Sequence, residues 1–224
     1  RELRDLVRLR WRFVAQRTTA KNRITNLLAR RCLRYEGTDL FGRRGRAWLA
    51  ALELDPHARA LIELLLVSIE EADAHVAALT LRLHELLDGD DELRLLQTIP
   101  GVGFLTAATL IAELGDAHRF RTAGQVSAYF GLVPRVRASA DVAHYGRITR
   151  AGSPHARRAL VEAAHVAVRL PGPVRDRYAS LVRRRGKKVA LVAAARVLLE
   201  LSWTLLSRGE VFRADGMGEP VQMR

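Results

Sequence analysis

A serine set among arginines is the arrangement in this sequence best suited to chemistry on a phosphodiester. Ser139 lies between Arg135 and Arg137 on one side and Arg147 and Arg150 on the other. A serine hydroxyl attacking phosphorus needs cations to stabilise the charge that develops on the transferring phosphoryl group. It also needs a base or a metal to become nucleophilic, and the bases nearest in sequence are Asp141 and His144. An exposed loop serine beside arginines can equally be a simple phosphate hydrogen-bond donor, or carry no function. The residues alone leave these readings open.

A second candidate lies upstream, in Leu96-Gln97-Thr98-Ile99-Pro100-Gly101-Val102-Gly103-Phe104-Leu105-Thr106-Ala107-Ala108. An apolar helix end is followed by a Pro-Gly-x-Gly turn and a helix rich in small residues, as in a helix-hairpin-helix. Gly101 and Gly103 let the backbone turn tightly and leave a helix N-terminus pointed at a phosphate. Such contacts position a duplex without reading its bases. The alternative is an ordinary turn between two helices, in which glycine serves only the bend.

Other chemistry finds little support. The seven histidines show no metal-ligand spacing, so no metal site is expected in this chain. Cys32 is the single cysteine, which excludes an internal disulfide and a cysteine-based zinc site and fits a cytoplasmic protein. No Gly-x-x-x-x-Gly-Lys loop is present for nucleotide hydrolysis. The longest apolar stretch, Val189 to Trp203, is interrupted by Arg196 and Glu200, so no membrane span is expected. Arg1, Arg4, Arg8, Arg10 and Arg12 leave no apolar core for a signal peptide.

Charge points to the partner. Lys and Arg number 37 against 24 Asp and Glu, a net charge of +13, and a surplus of that size attracts polyanions, nucleic acid first. The excess is uneven: residues 1–46 carry +10, residues 47–100 carry −8, and residues 101–224 carry +11. Two basic blocks flanking an acidic one imply different partners for different segments.

The elements that must hold these residues read as all-α. Residues 1–46 give a basic helix from about Glu2 to Arg34, with Leu3, Val7, Trp11 and Val14 one turn apart, then a loop at Gly37, Gly42 and Gly45. Residues 47–91 hold the cleanest stripe: Ile62, Leu65, Ile69, Ala72, Val76, Leu79, Leu83 and Leu86 alternate in steps of three and four. That seam fits either self-association as a coiled coil or a hairpin with the first helix. Residues 92–213 read as a compact helical domain of short helices, including Pro154–Leu170, Val174–Arg184 and Lys188–Arg208, with strand-like alternation only around Leu132–Val136. Residues 214–224 read as a loose tail.

The run from Thr98 to Ala163 resembles the C-terminal domain of the DEDD-type insertion-sequence transposases, a group described as bridge-RNA-guided serine recombinases. Ile99-Pro100-Gly101-Val102-Gly103, Ala112-Glu113-Leu114-Gly115-Asp116, Arg119-Phe120-Arg121, Gly131-Leu132-Val133-Pro134, Gly146-Arg147-Ile148-Thr149-Arg150-Ala151-Gly152 and Arg157-Arg158-Ala159-Leu160 carry the likeness. The resemblance implies a two-part enzyme acting on DNA, with structured guide RNA as a further partner. In it a RuvC-like domain binds a divalent metal such as Mg, and the C-terminal domain supplies a serine that links covalently to DNA. By position that serine is Ser139. Family members commonly follow it with Gly-Gly, whereas this chain has Ala140-Asp141. The chain is accordingly expected to lack the metal-binding domain and, alone, to bind DNA without cutting it. The other reading is a helix-hairpin-helix module that grips duplex DNA without chemistry.

Overall fold

The structure, a computed structural model, describes the backbone of residues 1–139, 142–213 and 216–220, and the side chains of residues 1–136 and 146–213. Among the described residues the chain is helical apart from two short antiparallel strand pairs. It divides into two compact units, residues 5–85 and residues 1–4 with 86–224.

The first unit contains most of α1 (Glu2–Ala29), then α2 (Arg43–Ala51) and nearly all of α3 (Pro56–Leu86). Helix α1 stops short of Arg34 because Cys32 takes a left-handed conformation, φ 56°, and the Leu33 amide folds back on the Leu28 carbonyl at 3.0 Å. The seam of α3 is filled from within the chain. Ile62 and Ile69 are fully buried with Ala20, Ile24 and Leu28 of α1 and Leu49 of α2. Arg10 donates to Thr80 at 2.8 Å, Phe13 stacks on His75 with centroids 4.4 Å apart, Arg17 pairs with Asp73, and Arg31 pairs with Asp55 at 3.0 Å. Residue numbers rise along α1 as they fall along α3, so the two form an antiparallel hairpin. The opposite charges of the first two sequence blocks face one another across it.

The second unit is built from α4 (Asp91–Gln97), α5 (Phe104–Leu114), α6 (Ala123–Tyr129), α7 (Pro154–Ala167) and α8 (Pro173–Arg208). Its core is lined by leucines, Phe130 and many alanines, among them Ala107, Ala163, Ala164, Ala194 and Ala195. Such small side chains let α5, α7 and α8 approach closely. Several polar groups in this unit are partnered, while one carboxylate oxygen of Glu210 is buried without a hydrogen bond. Ser127 donates to Glu200 at 2.8 Å, Glu200 also accepts from Arg196 at 2.7 Å, and the Trp203 indole donates to the Ala117 carbonyl at 2.9 Å.

Helix α8 departs from regular geometry at Gly186, φ 78° and ψ 163°, which matches the two separate helices expected there. One apolar window of α8 is long enough to cross a membrane, and 44% of that window is buried inside the protein. The strand pairs add to the expected fold. β1 (Pro134–Ser139) pairs with β2 (Val142–Ile148), and β3 (Glu210–Arg213) pairs with β4 (Gly216–Pro220), which occupies part of the segment expected to be a loose tail.

Candidate nucleic-acid interface

Both candidate segments sit in the second unit, and each is anchored by backbone contacts that only glycine permits. Asp90 caps α4 by accepting from the Leu93 amide at 2.8 Å. At the other end the Val102 amide donates to the Ile99 carbonyl at 3.0 Å, closing a turn with Pro100 and Gly101 at its centre. Gly101 has φ 88°, the geometry a type II turn requires at that position. A Cβ on Gly101 would lie 2.7 Å from the Ala163 carbonyl oxygen, so the turn is pressed against α7. Gly103 differs. It is exposed, a Cβ there would meet nothing within 4 Å, and it forms the N-cap of α5, whose first internal bond runs from the Ala107 amide to the Gly103 carbonyl. The first-turn amides of α5 therefore open at Gly103, where the helix dipole favours an anion.

The serine segment is a β-hairpin with a locked base. Gly131 (φ 67°) and Gly152 (φ 63°) interlock: a Cβ on the first would lie 2.3 Å from the Ala151 nitrogen, and on the second 2.1 Å from the Tyr129 carbonyl oxygen. The Arg150 amide donates to Gly131 at 3.1 Å and the Thr149 amide to Val133 at 2.9 Å. Arg157, on α7, closes the clamp by donating to the carbonyls of Phe130 and Gly152, each at 3.2 Å, and of Ala151. Burial, followed by the nearby charge of Arg150, lowers the Arg157 pKa below the usual arginine value.

Arg135, Arg147 and Arg150 are exposed around this base; Arg135 makes one long bond, 3.4 Å, to the Thr149 carbonyl. Along the hairpin Arg137 pairs with His144 and Ser139 with Val142, after an irregularity between Pro134 and Val136. Ser139 is thus the last residue of β1 and sits at the hairpin's far end. The side chains of Arg137, Ser139, Asp141 and His144 lie outside the described residues. Reading the sequence singled out the arginines at the base but missed Arg157, whose placement depends on a fold-back of the chain. It also gave no role to Gly131 and Gly152, whose pairing in flanking motifs was the only signal available. Arg119, in another of the matching motifs, lies 4.5 Å from the ring centroids of both Phe120 and Tyr129, a stacking role. Among the described residues no group of three or more His, Cys, Asp or Glu is placed to hold a metal ion.

Residues 93–179, which contain both segments, match the family described as Transposase IS116/IS110/IS902 family. The chain is 30% identical over 219 residues to the transposase for insertion sequence element IS1111A of Coxiella burnetii, covering 95% of this chain and 60% of that protein. It is 30% identical over 225 aligned residues to a probable family 20 transposase of Pseudomonas aeruginosa, covering 94% of this chain and 65% of that one. It is also 30% identical over 121 residues to the pilin gene-inverting protein of Moraxella bovis, 53% of this chain and 38% of that one. The chain spans less than two thirds of the length of the first two relatives.

Proposed function

We propose, for a chain whose residues 93–179 match the IS116/IS110/IS902 transposase family, that it is the DNA-binding part of an insertion-sequence transposase and supplies Ser139 as nucleophile for strand exchange. The observation that carries this reading is the locked hairpin. Its base is held by backbone bonds and close glycine contacts and flanked by exposed Arg135, Arg147 and Arg150, and its far end is Ser139. A fixed platform of cations beside a movable DNA backbone is what phosphoryl-transfer catalysis asks of a protein.

In this reading the turn at Gly103 and the base arginines hold neighbouring phosphates of the DNA backbone, and the phosphodiester that reacts lies at the hairpin's far end, beside Ser139. The Ser139 hydroxyl oxygen bonds to phosphorus, the phosphorus–oxygen bond to one deoxyribose breaks, and the proton given up by the serine is balanced by the one the departing deoxyribose oxygen takes up. In the same reading a divalent metal such as Mg would be held by the acidic RuvC-like domain that the family resemblance implies. Structured guide RNA is a further expectation of the family reading, whereas self-association is an expectation from the α3 seam, whose Ile62 and Ile69 pack against α1. The pilin gene-inverting relative supports a recombination role by its name.

The test has two parts. Arg135→Gln/Arg147→Gln/Arg150→Gln should weaken duplex binding and flatten its log–log salt dependence by about 0.9 for each phosphate no longer neutralised. With a metal-loaded RuvC-like domain added, labelled DNA on a denaturing gel should show a protein-linked strand that Ser139→Ala abolishes. An adduct that survives in the alanine variant places the nucleophile elsewhere. Binding without any adduct favours the non-catalytic module.

A further inference from the structure

Just beyond the matched family segment, which ends at residue 179, α8 carries a run of five cations: Arg183, Arg184, Arg185, Lys187 and Lys188. With Arg175 and Arg177 they make seven exposed basic residues against one acid, Asp176, in fourteen positions. Other arginines of this protein are matched, as in Arg17–Asp73, Arg31–Asp55 and Arg158–Glu162. Among the described residues no carboxylate is ion-paired to any of the seven. Arg184 bonds only back to the Ser180 carbonyl of its own helix, at 3.3 Å.

The break at Gly186 belongs to this cluster. An unbroken helix would stack Arg183 on Lys187 and Arg184 on Lys188, like charges at i,i+4 that destabilise a helix. A Cβ at 186 would meet nothing within 4 Å, so the glycine serves the left-handed backbone, φ 78°, and not a close approach. The break interrupts that register between Arg185 and Lys187, and the turns that follow are anchored by Ala190, Ala194, Ala195, Leu198 and Leu199, buried in the core. Those apolar residues face inward, and Val189 is the one large apolar side chain exposed directly beside Lys188. Five of the seven cations are arginines, whose planar forks match phosphate oxygens two at a time. From Arg175 to Arg185 the helix runs about 15 Å, the length of roughly four base pairs.

We propose that Arg175–Lys188 of α8 is a second binding surface for duplex DNA, holding the phosphodiester backbone without reading its bases. This deepens the DNA-binding reading above and rests on it. The test uses the full chain and a fluorescein-labelled duplex of arbitrary sequence, with anisotropy followed over a salt series. R183Q/R184Q/R185Q should weaken binding for unrelated sequences alike and flatten the log–log salt slope by up to about 2.7, at about 0.9 per phosphate. K187Q/K188Q, which removes a different pair, should flatten it by up to about 1.8. The control R12Q/R23Q/R30Q removes three exposed charges from α1 and should leave the slope in place. Unchanged slopes in both α8 variants, with wild-type binding intact, overturn this surface and leave the hairpin reading standing. An equal loss in the control overturns it too, because net charge then suffices. A wild type that binds no duplex overturns both readings. If the α8 variants keep duplex binding but lose a structured RNA hairpin or phosphatidylserine vesicles, the patch belongs to that partner and the assignment to DNA falls.

Discussion

A Cβ at position 101 would press on the Ala163 carbonyl oxygen at 2.7 Å with φ held at 88°, whereas a Cβ at 103 would meet open space at φ −85°. The two glycines of one motif therefore answer to different forces, packing at the first and access at the second. Gly101→Val should cost about 2–4 kcal/mol in urea denaturation, through left-handed strain and the clash with α7. Gly103→Val should cost no more than about 1 kcal/mol, the usual loss for a poor N-cap. It should nevertheless weaken duplex binding roughly tenfold or more, as expected when a charge-assisted hydrogen bond of about 1.5 kcal/mol is removed. Unchanged affinity in a folded Gly103→Val protein would remove the hairpin as a phosphate site. Glu92 offers a second test at this scale. Burial, then the charges of Asp90 and Asp116, raises its pKa in the folded protein. The folded state thus keeps a proton that the unfolded chain has already lost, so stability falls as pH rises from the ordinary glutamate range through the raised value. Glu92→Gln should therefore be more stable than wild type at neutral pH, and the gain should vanish on acidification. A constant gain at every pH would assign the effect to packing instead.

At the scale of elements, helices were legible because their apolar positions recur with a helical period, and the break in α8 was legible as Arg185-Gly186. The seam of α3 was equally legible, but a stripe records that something covers it and not what does. Its cover is α1, with Ile24 and Ile69 both fully buried in the same cluster. Ile69→Ala should destabilise the first unit by about 2–4 kcal/mol, the range for emptying a packed aliphatic site, without changing the sedimentation coefficient of the folded protein. A mass halved on substitution would instead mean that the seam joins two chains. The β1–β2 hairpin was barely legible, for a physical reason. Among its described side chains Arg135, Val136 and Arg147 are exposed and Ile148 alone packs against the core, so that part of the hairpin imposes little alternation on the sequence. What defines the hairpin is its base, where Gly131, Gly152 and Arg157 meet from separate parts of the chain, and no local pattern encodes that meeting. Helix α2 was hidden for a similar reason: Gly45 lies inside it and its Cβ position falls against the Leu40 carbonyl, a close approach that reads in sequence only as a loop glycine.

Across the whole molecule, the three charge blocks of the sequence reduce to two units of unequal charge. Residues 5–85 hold fourteen basic and ten acidic residues, a net of +4, with Arg17–Asp73, Arg31–Asp55 and Arg46–Glu70 pairing them internally. The remaining residues hold twenty-three basic and fourteen acidic, a net of +9, and contain the glycine turn, the hairpin arginines and the α8 cluster. A polyanion should thus bind the second unit and stabilise that unit alone. Tryptophan reports on each separately, because Trp11 and Trp48 lie in the first unit and Trp203, bonded to the Ala117 carbonyl, lies in the second. In a Trp11→Phe/Trp48→Phe protein, duplex DNA at one hundred times its dissociation constant should raise the stability reported by Trp203 by about 2.7 kcal/mol. In Trp203→Phe the same DNA should leave the unfolding midpoint reported by Trp11 and Trp48 in place. Equal shifts in both proteins would show that the units unfold as one, and a shift confined to Trp11 and Trp48 would move the DNA-binding surface to the α1–α3 hairpin.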